Sequence, residues 1–439
     1  HRSGVADQAD RSFILSLFHS LKTMLTNYIK IAWKVLLRHP FYTFITLFGI
    51  SLTLTVLMVL TSFLDHLLGS HYPETKRHRT VYIQFMNRRD TVNNNSMNGP
   101  MSFRFLTDYA KTLQTPERVT IFSFMGSSNT YVGSQKIKLN TKFTDADFWQ
   151  VNEFEFLEGK PYNEQNITNG DHVAVITDDL KRQYFENSTE PVVGKTIEIE
   201  TIRYKVIGVV KGSPYTRFFT YADIYFPYTA PKSNYENKGM GGNYVAMALA
   251  KNKGEMDAVR EEFQSHIRRI PLPGVEDGFK FNILEIKAEA YVDNFLGILL
   301  NGPETIAIFF GVVAFILFML LGLPAINLVN VNVSRILERA SEIGIRKAFG
   351  APVRTLLWQF IIENVFITFI GGGIAFVLTF IIIQLINRSG WIAYADLTIN
   401  LSVFAVSLLI CLLFGLLSGV LPALRMSKLN IVEALKTQG

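Results

Sequence analysis

The chain has 439 residues, of which 49% are hydrophobic and 18% charged, with a formal net charge of +6 and a single cysteine. The apolar share points to membrane-embedded segments, while the charged share still requires a large part in water. The lone Cys411 excludes an internal disulfide and a cysteine-pair zinc site, and no basic cluster interleaves with aromatics in the polar part, so no nucleic-acid partner is expected.

Residues 1–23 read as an upstream extension or an added, non-native segment, because Met24 opens a more ordinary start, MLTNYIKIAWKVLLRHP. Within 24–40, Lys30, Lys34 and Arg38 fall at i, i+4, i+8 as a basic stripe, with Ile29, Trp33, Leu36 and Leu37 beside it. The pattern predicts a cytoplasmic amphipathic helix lying on membrane lipid, or a simple lead into the first span. That span is predicted over 41–64. It is too long for the apolar core of a cleaved leader and reads as a retained anchor.

Residues 66–300 are polar and predict a mixed α/β domain. Strand-like runs are 81–85, 118–124, 173–176, 196–200, 204–210 and 245–250. Helix-like runs are 103–113, 178–185 and 255–269, the second capped by Thr177 or Asp178. The Pro/Gly/Asn-rich loop 230–243 is a candidate subdomain border. Residues 285–302 read as a stalk that extends the next span outward.

Three further spans are predicted, over 305–326, 356–386 and 401–421. Each is long enough for a hydrocarbon core of about 30 Å. Between the second and third spans, 335–355 carries SEIGIRKAFGAP. Glu342 and Arg346 are i, i+4 with the acid first, the order that supports a helix. Gly344 and Ala348 give a low-relief face, Gly350 suits a left-handed cap, and Pro352 stops the helix. Taken alone, the same residues also fit an ordinary solvated loop. Glu363 near the third span is costly unless it faces protein, water or the interface, and reads as a structural polar anchor ahead of a proton relay. Gly371, Gly372 and Gly373, and the pair Gly415 and Gly419, permit close helix approach within the chain or to a second, identical or homologous chain.

Arg335, Arg339, Arg346, Lys347 and Arg354 between spans two and three, and Arg425, Lys428 and Lys436 after span four, place these segments and the N-terminus inside. Residues 66–300 and the loop 387–400, which has only Arg388, are then outside, and 422–439 is a cytoplasmic tail. The predicted fold class is therefore membrane α-helical plus α+β: four transmembrane helices, one and then three, with a large mixed α/β extracytoplasmic domain between the first two.

No catalytic motif is visible. Gly194-Lys195-Thr196 imitates the end of a phosphate-binding loop, but Thr189 stands where that loop needs glycine, and the strand-like TIEIE follows instead of a helix. His71 and His78 are a weak metal pair, and Asp178-Asp179 reads as a helix start rather than an acid/base pair.

Several pieces, in order, resemble one family. Glu342-Ile343-Gly344-Ile345-Arg346-Lys347-Ala348-Phe349-Gly350-Ala351 is similar to a cytoplasmic signature of FtsX-like, MacB-type ABC-transporter permeases. Phe360-Ile361-Ile362-Glu363 with Gly371-Gly372-Gly373 resembles their third span. Pro422-Ala423-Leu424-Arg425 and Ile431-Val432-Glu433-Ala434-Leu435-Lys436 resemble their C-terminal end. Pro191–Ile197 (PVVGKTI) and 204–209 (YKVIGV) resemble their periplasmic core. The resemblance implies a non-enzymatic permease subunit of the bacterial inner membrane. Its segment from Glu342 to Gly350 would dock on a separate cytoplasmic ATPase that holds the ATP and Mg, with no cofactor on this chain. It further implies a second permease as dimer partner, mechanotransmission to the periplasmic domain, and export or release of peptides, drugs or lipoproteins. A periplasmic adaptor and outer-membrane channel would assist the exporter branch, which is slightly preferred. The alternative is a non-transporting signalling or scaffold protein that senses an envelope ligand or activates an envelope enzyme.

Overall fold

The computed structural model describes residues 30, 33–34, 36–38, 40–124, 126–186, 190–272, 275–276, 279–300, 307–320, 322, 353–390, 394 and 396–427. The chain divides into a helical unit (His1–Phe63, Phe310–Arg388, Leu397–Gly439) and a head (Leu64–Phe309 with Ser389–Asp396).

The helices in chain order are α1 (Pro40–Leu68), α2 (Phe103–Tyr109), α3 (Phe148–Val151), α4 (Glu164–Thr168), α5 (Asp178–Tyr184), α6 (Met256–Ile267), α7 (Tyr291–Leu300), α8 (Ala307–Leu320), α9 (Val353–Ser389) and α10 (Leu401–Ser427). Helix α1 starts on Pro40, whose fixed φ and missing N–H suit a first turn. Several of its hydroxyls bond the preceding turn: Thr46 donates to the Tyr42 carbonyl at 2.7 Å, and Thr55 to that of Ser51 at 2.7 Å. Such bonding satisfies a polar group where no water reaches. Ile50, Leu54 and Cys411 are buried together with Ile367 and Ala375, while Phe41, Phe44, Phe48, Leu52 and Val56 form an exposed apolar stripe. Helix α10 is capped by Asn400, whose Oδ1 accepts from the N–H groups of Ser402 and Val403, each at 3.1 Å.

By length and composition, Pro40–Leu68 and Ile361–Ser389 qualify as membrane spans, and Ala307–Leu320 and Leu401–Leu413 are shorter apolar helices among the described residues. The predicted tail begins later than expected: α10 continues through Pro422 and Arg425 to Ser427. Of 24–40, Lys30, Lys34 and Trp33 lie in helical backbone, and the buried Leu36 joins the α1/α9/α10 core.

The head strands are β1 (Thr80–Asp90), β2 (Asn95–Gly99), β3 (Arg118–Ser123), β4 (Ser127–Val132), β5 (Gln135–Thr144), β6 (Phe156–Gly159), β7 (Val173–Thr177), β8 (Thr196–Ile199), β9 (Ile202–Val210), β10 (Ile224–Pro227), β11 (Tyr244–Leu249), β12 (Val275–Glu276), β13 (Phe279–Lys280) and β14 (Ile283–Ala290). The main sheet runs β14-β1-β11-β3-β5-β10-β7-β9-β6, with β2, β4 and β8 added to β1, β5 and β9. Pairs β5–β10 and β7–β9 are parallel, and the other pairs in this order are antiparallel. Strand alternation splits β1 between two cores. Val81 and Ile83 pack with Phe105, Val259 and Phe263 of α2 and α6, while Tyr82 packs with Phe122, Phe148, Trp149 and Tyr225. A third core joins Leu180, Val192, Ile197 and Tyr204 around β7 and β9.

Two expectations change. Residues 285–290 belong to strand β14, not to a helical stalk, and helix begins only at Tyr291. Loop 230–243 is not a subdomain border, because β10 and β11 on either side of it belong to one sheet. The hairpin β4–β5 is built of predominantly polar strands. It turns on Gly133-Ser134, and Gly133 takes φ +58°, which a residue without Cβ adopts freely. The predicted strand after Lys195 is present as β8, so the phosphate-loop look-alike leads into a strand.

Candidate functional site

Among the described residues of the head, a cluster of buried charges lies where α1 ends. Helix C-termini leave their last carbonyls without intrahelical donors and carry partial negative charge. Here two buried guanidiniums supply the donors. Arg217 donates through Nη2 to the His66 carbonyl at 2.8 Å and through Nη1 to the Gly69 carbonyl at 2.9 Å. Arg77 donates through Nη1 to the Leu67 carbonyl at 2.9 Å and to the Gly69 carbonyl at 3.2 Å. Glu74 lies between the two cations. Its Oε2 accepts from Arg77 Nε and Nη2 at 2.9 and 2.7 Å and from Tyr82 OH at 3.3 Å, and its Oε1 accepts from Thr220 at 2.8 Å. Arg77 also lies 3.5 Å over the ring of Tyr291, the first residue of α7.

Glu74, Arg77, Arg217, Tyr82 and Tyr291 are all at most 3% exposed. Burial pushes the Glu74 carboxyl up, but the Arg77 and Arg217 guanidiniums outweigh it and hold the carboxyl below its ordinary range. Burial and the neighbouring Arg77 lower Arg217 to about 10. The cluster therefore ties the end of α1 to strand β1 by hydrogen bonds and to the start of α7 by the contact of Arg77 with the Tyr291 ring. Its members are scattered from 66 to 291, and no sequence pattern groups them. The adjacent Glu74 and Arg77, three residues apart just after Tyr72-Pro73, were the only local signal.

A second contact holds the short segment Ser389–Asp396 to the head. Tyr394 OH donates to Asp178 Oδ1 at 3.3 Å, and the same oxygen accepts from the Gly212 N–H at 3.0 Å. A Cβ on Gly212 would lie 1.9 Å from Tyr394 Cζ, so only glycine lets the ring lie there. Asp178 thus begins α5, with Thr177 Oγ1 capping Leu180 N at 3.2 Å, and serves as an acceptor rather than an acid/base partner.

The sequence-predicted sites are placed unevenly. Glu342, Ile343, Gly344, Ile345, Arg346, Lys347, Ala348 and Gly350 lie outside the described residues, as do Glu433, Ala434 and Leu435. Glu363 is buried at 3% exposure beside the buried Asn364 and Thr368. The glycine run divides: a Cβ on Gly371 would meet Ile50 of α1 at 2.8 Å, and one on Gly372 would meet Leu408 of α10 at 2.7 Å. Gly373 has nothing within 4 Å and makes no close approach. Gly415, Gly419, Pro422 and Arg425 lie on α10, with their surroundings outside the described residues. His71 bonds Asp65 at 3.0 Å while His78 faces Ser70, and among the described residues no three metal-ligand side chains gather.

The MacB-like periplasmic core domain family matches residues 43–266, just over half of the chain, and the FtsX-like permease C-terminal family matches 305–431. The chain belongs to the MacB-like, FtsX-like ABC permeases. Among curated relatives of this permease, the macrolide export ATP-binding/permease protein MacB of Hahella chejuensis is 28% identical over 317 residues, covering 71% of this chain and 45% of that protein. The protein of the same name from Escherichia coli strain K12 is 27% identical over 324 residues, covering 70% and 46%. The permease chain therefore spans less than half the length of these relatives. Among solved structures, the periplasmic region of MacB from Actinobacillus actinomycetemcomitans is 15% identical with TM-score 0.34, covering 50% of this chain and 92% of that one. A permease domain from Porphyromonas gingivalis is 15% identical with TM-score 0.36, covering 49% and 91%.

Proposed function

We propose that this permease carries motion from a separate cytoplasmic ATPase to the periplasmic head, and that this motion drives export or release of envelope peptides, drugs or lipoproteins. The chain crosses the inner membrane four times, pairs with a second permease, and in an exporter assembly meets a periplasmic adaptor and an outer-membrane channel. ATP and Mg act in the partner. The observation that supports this reading is the grip of Arg77 and Arg217 on the last carbonyls of α1. A helix whose end is held by buried, charge-assisted bonds delivers axial displacement to the domain that holds it, whereas a flexible junction would absorb it.

The inner end of the path is the segment Glu342–Gly350. Gly344→Trp puts an indole on its low-relief face without weakening the helix. Overpacking a close contact costs about 1–3 kcal/mol, roughly 5- to 150-fold in affinity. The mutant should insert, keep a protease-resistant head, and lose pull-down of its ATPase and ATP-dependent function. Undiminished ATPase binding by a stably inserted mutant would remove the docking step from the mechanism.

A further inference from the structure

On the head, the residues just after β3, strands β4 and β5 and the segment before β10 enclose a partly open cleft of about 350 Å³, lined by Phe124, Lys142, Tyr215, Phe218 and Tyr221 among others. The volume falls in the range of small-molecule sites. Its walls are aromatic: Phe124 meets Phe218 edge-on at 5.0 Å, and Tyr215 meets Tyr221 edge-on at 5.1 Å. Tyr215 is 65% exposed, so its ring stands at the open side of the cleft with Tyr221 as its neighbour. Gly126 at the rim lets the chain pass close to Thr141, whose Oγ1 would lie 2.6 Å from a Cβ there.

Lys142 is the decisive residue. It is 1% exposed and yet makes no ion pair among the described residues. Its ammonium donates to the carbonyls of Ser123 and Phe124 at 3.1 and 3.0 Å and lies 5.4 Å over the Phe122 ring, so its partners are two neutral carbonyls and a ring face, and no carboxylate is bonded to it. A buried cation with no carboxylate at ion-pair distance is costly, and an anion that reaches it recovers that cost. One lysine with no arginine fork and no cradle of backbone amides matches a single negative charge better than a phosphate.

We propose that this cleft binds a small carboxylate with a planar apolar body, its ring packed among Phe218, Tyr215 and Tyr221 and its carboxylate neutralised by Lys142. The body gains stacking and apolar burial from the walls. The carboxylate meets a donor already desolvated by the fold, so the site selects for charge as well as shape. This inference does not depend on the transport reading, and its test needs no ATPase.

The test titrates the full chain in lipid nanodiscs with 2-naphthoate and with its uncharged isostere 2-naphthamide, each corrected for empty discs. The wild type should bind naphthoate saturably at one site and prefer it to naphthamide by about tenfold or more, as a charged hydrogen bond requires. Lys142→Met should remove that preference while retaining naphthamide binding. Tyr215→Ala, at an exposed position, should weaken both ligands and leave the preference in place. Absence of saturable binding, equal affinity for the two ligands in the wild type, or unchanged affinity in Tyr215→Ala would each overturn the proposal. The last two readouts stand even if Lys142→Met fails to fold.

Discussion

Arg77 and Arg217 share one acceptor: the Nη1 atoms of both donate to the Gly69 carbonyl, at 3.2 and 2.9 Å. Two like charges converge on one oxygen because the end of α1 is electronegative and because Glu74 bonds Arg77 from the side. The arrangement depends on all three parts. Take away the carboxylate, and two buried guanidiniums repel each other with only backbone dipoles to offset them.

Glu74→Gln should therefore be strongly destabilising. Breaking a buried pair by removing one partner typically costs about 3–5 kcal/mol. The pH dependence has a definite sign. The Glu74 carboxyl titrates lower in the folded head than its ordinary 4.5. Its stabilisation is complete above that ordinary value and is lost as pH falls through the lowered one. Chemical denaturation between pH 6 and pH 3 should show an acid-side loss in wild type that is reduced in Glu74→Gln. Parallel acid limbs for the two proteins would contradict this assignment.

Lys142 has the opposite behaviour. Burial lowers its ammonium from 10.5 to about 7, with the Glu74 carboxylate the one charge opposing that shift. Between these values the unfolded chain binds more protons than the folded one, so the head should gain stability as pH rises from 7. By pH 9 this group alone contributes on the order of 2–3 kcal/mol relative to its fully protonated state. Below pH 7 the full cost of the buried charge is present. Lys142→Met should abolish the slope and melt higher than wild type at pH 6.5. An unchanged slope in the mutant would show that other groups set it.

Gly212→Ala should displace Tyr394, since the new methyl would overlap the ring. The expected cost is about 1–3 kcal/mol, typical of overpacking. The effect should vanish in a Tyr394→Ala background, which makes a double-mutant cycle the measurement of choice. Equal penalties in both backgrounds would mean that backbone effects at Gly212, and not the ring, are responsible.

The three consecutive glycines should respond differently to alanine. Gly371→Ala and Gly372→Ala push against Ile50 and Leu408 and should lower the melting temperature of the detergent-solubilised chain. Gly373→Ala meets open space and should be neutral or stabilise by up to about 1 kcal/mol, the helix-propensity gain. A uniform response across the three would argue against the helix contacts.

Topology is open to a labelling test. A cysteine placed at Asn243 or Ser389 should react with an impermeant thiol reagent from outside. One placed at Ser341 should react only after the membrane is opened, and external labelling there would rule out four spans.

The sequence by itself determined the features that follow from local composition. Unbroken apolar runs become α1, α9 and α10, because a helix satisfies its own backbone hydrogen bonds within one contiguous segment. Runs such as 173–176 and 245–250 become strands because β-branched and apolar residues suit a buried sheet. The family signature was also legible, since it resides in contiguous residues. Only the tertiary structure decided the rest. The segment ILEIKAEA contains good helix formers, yet it pairs along β1 as β14 because its alternate apolar residues reach the core from that register. Glu74, Arg77 and Arg217 look like ordinary surface charges until the fold carries them to the end of α1. Gly212 looks like a loop glycine until Tyr394, 182 residues later, lies against it. Periodicity reports what one segment prefers. Ion clusters and close approaches depend on which distant segments meet, and that is settled only when the whole sheet and its helices assemble.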